Sequence, residues 1–88
     1  MITFNELADY LMHGREIEFR YEGKHYSITN SHNEWHFCCD TDGTSIALCV
    51  FFEFDILVDK VRRLEIDGIS IEYIFNEHLG GIDVLDIL

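Results

Sequence analysis

Basic side chains are scarce in this chain: six Lys and Arg stand against 17 Asp and Glu, a formal net charge of −11 at pH 7. Neutralising a nucleic-acid backbone takes Lys and Arg, so direct nucleic-acid binding is not expected. Cysteine is scarce as well. Cys38, Cys39 and Cys49 are too few and of the wrong parity for a disulfide framework, and neighbours such as Cys38 and Cys39 cannot bridge without backbone strain. Long apolar runs are missing: Ile46 to Phe52 is the longest, with seven residues where a membrane span needs about 20. The N-terminal stretch MITFNELADYLMHG has neither a basic n-region nor an apolar h-region, which argues against a signal peptide. The expectation is a reduced, cytoplasmic protein. Proline, internal repeats and linkers are absent too, and residues 1–88 read as one domain.

What is present is apolar material. The chain is 48% hydrophobic, with one Trp, four Tyr and seven Phe, whereas an acidic disordered tail is poor in all of these. It is expected to fold, to bury roughly 60 to 65% of its unfolded surface, and to present a strongly negative exterior. The acids are spread over both halves, but after Arg63 the chain has Glu65, Asp67, Glu72, Glu77, Asp83 and Asp86 and no Lys or Arg.

Local patterns predict the elements. Thr3 and Glu6 form a capping box with Ile2 and Leu7 as a staple, and Phe4, Leu7, Ala8 and Leu11 make one stripe of a helix over 4–13 that Gly14 ends. From Glu16 the period becomes two. Ile17, Phe19 and Tyr21 form one strand, and Tyr26 and Ile28 return after a Gly23-Lys24 turn that pairs Tyr21 with Tyr26 and Phe19 with Ile28. Trp35, Phe37 and Cys39 form a third strand, and beyond Asp40 to Gly43 a fourth sets Ile46, Leu48 and Val50 against Cys39, Phe37 and Trp35. Glu53 and Asp55 at one end and Arg62 and Arg63 at the other match a helix dipole along Phe54, Leu57, Val61 and Leu64. After Asp67-Gly68, Ser70 is an N-cap for a last helix toward Leu79, with an Asp-Gly hairpin as the alternative; the tail IDVLDIL is too short to classify. The sum is an α+β domain: an N-terminal helix, a four-stranded antiparallel meander and two C-terminal helices packed on one face of the sheet.

No catalytic or cofactor motif stands out. His25, His36 and Cys38 fall on the outer sheet face, with Thr29 beside His36, Ser27 beside Cys38, and His25 between Glu22 and Asp40. They are the candidate metal ligands, but their spacing fits no known finger type. The plainer reading is a surface histidine and its neighbours, with no metal and no cofactor. Asp40 to Gly43 lacks the carboxylates that a calcium loop needs at Cys38 and Cys49, and Gly80-Gly81 lacks the Lys-Ser/Thr of a phosphate cradle. Tyr21, Tyr26, Trp35 and Phe37 alternate toward the core as packing residues.

The expected function is therefore non-enzymatic: docking on a basic surface of a protein partner, itself of the nucleic-acid-binding kind in the sharpest version. The contact residues would be Glu65, Asp67, Glu72, Glu77, Asp83 and Asp86, with Phe51 in an outer apolar patch beside Ala47 and Cys49. In size and acidity the chain resembles the small anti-CRISPR and anti-restriction inhibitors, and equally the toxin-neutralising immunity proteins, a likeness of composition without a shared motif. The competing reading is a domain whose acidity serves solubility alone.

Overall fold

The computed structural model describes residues 2–88. Helix α1, Phe4–Met12, starts as its sequence dictates: Glu6 N–H donates to Thr3 Oγ1 (3.3 Å) while Thr3 N–H donates to the Glu6 carboxylate (3.2 Å). Phe4, Leu7 and Leu11 are buried along one stripe. The chain then enters strand β1 (Ile17–Tyr21), followed by β2 (Lys24–Ser31), β3 (Glu34–Cys39) and β4 (Thr44–Val50). Helix α2 (Phe54–Arg63) leads to a two-residue hairpin, β5 (Glu65–Ile66) and β6 (Ile69–Ser70), then helix α3 (Ile71–Glu77) and a last strand, β7 (Asp83–Ile87).

The main sheet is antiparallel with five strands in the order β4-β3-β2-β1-β7, one more than expected. The tail IDVLDIL supplies the fifth strand, against β1. Its pairing explains why it was illegible: Phe19 lies opposite Val84 and Glu18 opposite Asp86, with Leu85 bulged out between. Val84 and Ile87, three apart, both pack against the core, so no period of two is there to read.

Two registers also differ from expectation. The β1–β2 turn is Glu22-Gly23, with φ of 49° and 78°, and it pairs Tyr21 with Lys24 and Phe19 with Tyr26. Positive φ at both turn positions gives the twist that suits a two-residue hairpin. The slip from the expected register is two residues, so every side chain keeps its face. On β4, Phe37 opposes Ile46 and Trp35 opposes Cys49, with a bulge at Leu48. That odd slip turns Cys49 to the core side and Val50 to the outer side beside Glu34. The β2–β3 pairing is as expected, Thr29 with His36 and Ser27 with Cys38. The two alternatives after Arg63 are both realised in sequence: Asp67 and Gly68 turn a hairpin at φ 52° and 82°, and Ser70 caps α3, its Oγ accepting from Tyr73 N–H. The helix stops at Glu77, short of Leu79, because His78 takes the left-handed conformation.

All three helices lie on one face of the sheet. There Phe19, Tyr26 and Phe37 stack in a row across β1, β2 and β3 at 5.4 and 5.7 Å, and Phe75 of α3 meets Phe19 edge-on at 5.2 Å. Trp35 is fully buried and stacks on Phe51 at 5.6 Å, its indole N–H donating to the Phe51 carbonyl. Each large buried side chain contributes about 1.5 to 3 kcal/mol.

Candidate functional site

With the helices on one side, the opposite face of the sheet is uncovered. The ladder registers put Asp83 and Asp86 of β7 beside Arg20 and Glu18 of β1, then His25, Ser27 and Thr29 of β2, then Glu34, His36 and Cys38 of β3 with Asp40 just past its end, and finally Ser45, Ala47 and Val50 of β4. Five carboxylates thus share this face with one guanidinium. They sit toward β7 and β1 and at both ends of β3, while Ala47 and Val50 form a small apolar margin at the far strand.

His25 is central. Its Nδ1 lies 3.0 Å from Asp40 and its Nε2 3.5 Å from Glu18, so a carboxylate faces each ring nitrogen. Asp40 was expected there; Glu18 replaces Glu22 because of the shifted hairpin. His36 turns to Glu34 at 3.1 Å, and Cys38 Sγ lies 3.6 Å from Ser45 Oγ. The three candidate metal ligands therefore each take a separate neighbour, and among the described residues no three His, Cys, Asp or Glu side chains converge. Two surface concavities occur elsewhere, one of about 270 Å³ lined by Ile46, Leu48, Lys60 and Arg63, the other of about 360 Å³ lined by Ile2, Asp83, Val84 and Ile87. Neither contains His25, His36 or Cys38.

Burial, with the nearby Glu22 and Asp67 charges, pushes the Tyr21 hydroxyl up, and burial does the same to Tyr26. Burial and then Glu53 raise the Cys49 thiol, the reverse of what a nucleophile needs. At the hairpin tips, the hydrogen bond between Lys24 and Asp42 lifts the amine and lowers the carboxyl.

The six carboxylates of the C-terminal quarter do not gather. Glu65 and Asp67 lie on the small hairpin, Glu72 and Glu77 on α3, and Asp83 and Asp86 on β7. Glu72 is paired with Arg62, whose guanidinium also sits over the Phe4 ring at 4.8 Å. Phe51 is half-buried between Trp35 and Phe54, so the outer patch expected of Ala47, Cys49 and Phe51 reduces to Ala47. Glu18, Glu34 and Asp40 were not among the expected contact residues. Period-two alternation could have placed them on one face with His25, but their junction with Asp83 and Asp86 needed the fifth strand.

The chain matches no protein-family model, no curated protein and no solved structure. No helix among the described residues is long and apolar enough to cross a membrane.

Proposed function

We propose that this protein is a non-enzymatic interaction module that docks a basic surface of a protein partner through the helix-free face of its sheet. The observation that carries the reading is the concentration of Glu18, Glu34, Asp40, Asp83 and Asp86 on that face against Arg20 alone, with Ala47 and Val50 as an apolar margin. The basic side chains elsewhere are already engaged: Lys24 with Asp42, Arg62 with Glu72, Arg63 with Asp59, Lys60 and Arg15 with backbone carbonyls. A concentrated charge of one sign steers a partner of the other sign and speeds encounter by roughly 10 to 10³, an effect that falls as salt screens it. The sharper form of the proposal is that the partner's basic surface is one that otherwise holds nucleic acid, and that docking blocks it. The protein would then work in the cytoplasm as an inhibitor of the anti-CRISPR, anti-restriction or immunity type.

The reading is tested by immobilising the wild-type chain and a Glu18→Lys/Asp86→Lys variant, and passing host lysate over both at low and moderate salt. A stoichiometric partner held by the wild type, released by salt and absent from the variant is the expected result. Equal retention on both surfaces, or none, overturns the proposal. A second reading, acidity for solubility alone, is favoured by the scatter of Glu65, Asp67 and Glu77 as separate exposed carboxylates, and it is what an empty capture would leave.

A further inference from the structure

A five-stranded open sheet has two edges, and each end strand offers main-chain N–H and C=O groups to a strand that approaches. At the β4 edge the chain itself takes them: Glu53 Oε1 accepts from Val50 N–H, Glu53 N–H donates to the Val50 carbonyl, each at 3.1 Å, and Lys60 Nζ donates to the Leu48 carbonyl. At the β7 edge such contacts are confined to Ile87. Leu88 N–H donates to Glu16 O at 2.8 Å on the β1 side, so the Ile87 carbonyl, at the other side of the same trans peptide, points away from the sheet. There Arg15 Nη2 donates to it at 3.2 Å, and Asp86 Oδ1 accepts from Ile87 N–H at 2.9 Å. Among the described residues no side chain bonds the backbone of Asp83, Val84 or Leu85.

The two sides of β7 differ in chemistry. Val84 and Ile87 face the helices and, with Ile2 and Asp83, line the concavity of about 360 Å³ that runs along this edge. Asp83 and Asp86 lie on the open face; both are exposed, and neither belongs to an ion pair among the described residues. An aliphatic trough therefore lies on one side of the strand and two free carboxylates on the other, with a main-chain edge between them.

We infer that β7 is the edge to which the partner adds a sixth strand, an extended segment that alternates Lys or Arg with aliphatic residues. Its aliphatic side chains enter the concavity of Ile2, Val84 and Ile87, and its basic ones lie beside Asp83 and Asp86. Charge selects this occupant: a second copy would set Asp83 and Asp86 against their equivalents and one net charge of −11 against another, and a neutral strand would leave both carboxylates without a counter-charge. Arg15 is a cation already held at this edge. Its bond to Ile87 is exposed, as is that of Asp86, and an incoming ladder replaces both. The inference rests on docking of a basic partner and narrows it to a strand that meets the acidic face and the β7 edge together.

The probe is a Lys-Val-Lys-Val-Lys-Val-Lys-Val peptide titrated into the isotopically labelled full chain, with backbone amide resonances and their exchange as the readout. Shifts at Ile2 and from Asp83 to Ile87, with slowed exchange in β7, are the expected result. Alternate N–H groups of a strand point the same way, so N-methylation of the Val set or of the Lys set removes the donors facing β7 in only one of the two peptides. That peptide should bind about tenfold or more weakly, and the other nearly as well as the parent. A Lys-Lys-Lys-Lys-Val-Val-Val-Val peptide of the same charge, and the parent peptide on Asp83→Asn/Asp86→Asn, should each bind about tenfold more weakly. No binding, equal binding of the blocked peptide, equal behaviour of the two methylated peptides, or full affinity for Asp83→Asn/Asp86→Asn overturns the inference. So do shifts confined to His25, Ser27, Thr29 and His36. A lysate capture that succeeds while the peptide ignores β7 removes the added strand and leaves docking in place, whereas an empty capture removes docking itself and this inference with it.

Discussion

The two faces of the main sheet are built from the same five strands and have opposite chemistry. The helix-covered face is a row of aromatic rings sealed by Leu7, Leu57, Ile74 and Phe75, and the uncovered face carries five carboxylates, two of which, Glu18 and Asp40, face His25. What separates them is the two-residue period of the strands, which sends Phe19 inward and Glu18 outward from adjacent positions. Stability therefore resides on one face, and the other is free to carry charge that contributes little to folding. On the open face Glu18 and Asp86 are direct cross-strand neighbours, an arrangement of like charges that opposes folding slightly.

That division can be broken from the inside. Trp35→Ala removes the largest fully buried side chain and its stack on Phe51, and should cost about 3 to 5 kcal/mol in urea unfolding. Gly80→Ala should cost less, about 1 to 3 kcal/mol. At Gly80 φ is +56° and a Cβ would stand 2.4 Å from the Tyr21 ring and 2.8 Å from Glu22 Cγ, at the point where Glu22 N–H ties β1 to the loop before β7.

Alkaline pH sharpens the comparison. Tyr21 and Tyr26 are buried as residues, and partial burial of their hydroxyls with the nearby acidic charges raises both above the ordinary tyrosine value of 10.0 in the folded chain. Between the ordinary value and the raised one the unfolded chain loses protons that the folded chain keeps, so stability is full below pH 10 and falls as the pH rises beyond it. Tyr26→Phe should reduce that alkaline slope in thermal unfolding followed across pH 9 to 11. The smallest effect is expected on the open face: Glu18→Lys/Asp86→Lys should change unfolding free energy by less than about 0.5 kcal/mol. A loss near that of Trp35→Ala would mean that the acidic face is part of the folding machinery after all.

Much of this could be read from the sequence where structure is local. The capping box at Thr3 and Glu6, the charge ends of α2, the alternation through β1, β2 and β3, and the neighbours Thr29-His36, Ser27-Cys38 and His25-Asp40 all follow from short-range patterns. What escaped depends on bulges. The extra residue at Leu48 moved Cys49 and Phe51 to the core side and undid the expected apolar patch, and the one at Leu85 hid a strand in the tail. Bulges leave no period to detect. The sequence is locally richest in acids after Arg63, whereas the sheet brings Glu18, Glu34 and Asp40 from the first half onto one face with Asp83 and Asp86 from the end.

Docking through the open face is tested most directly by association rates. With a partner captured by the wild type, the rate constants of wild type, Glu18→Lys/Asp86→Lys and Glu65→Lys/Glu77→Lys are compared at low salt, all three chains being folded. A slowing of about tenfold or more for the first variant and little for the second is the expected result, with the difference shrinking as salt rises. Equal slowing by the two variants would contradict the account, because it would mean that total charge and not the sheet face governs the encounter.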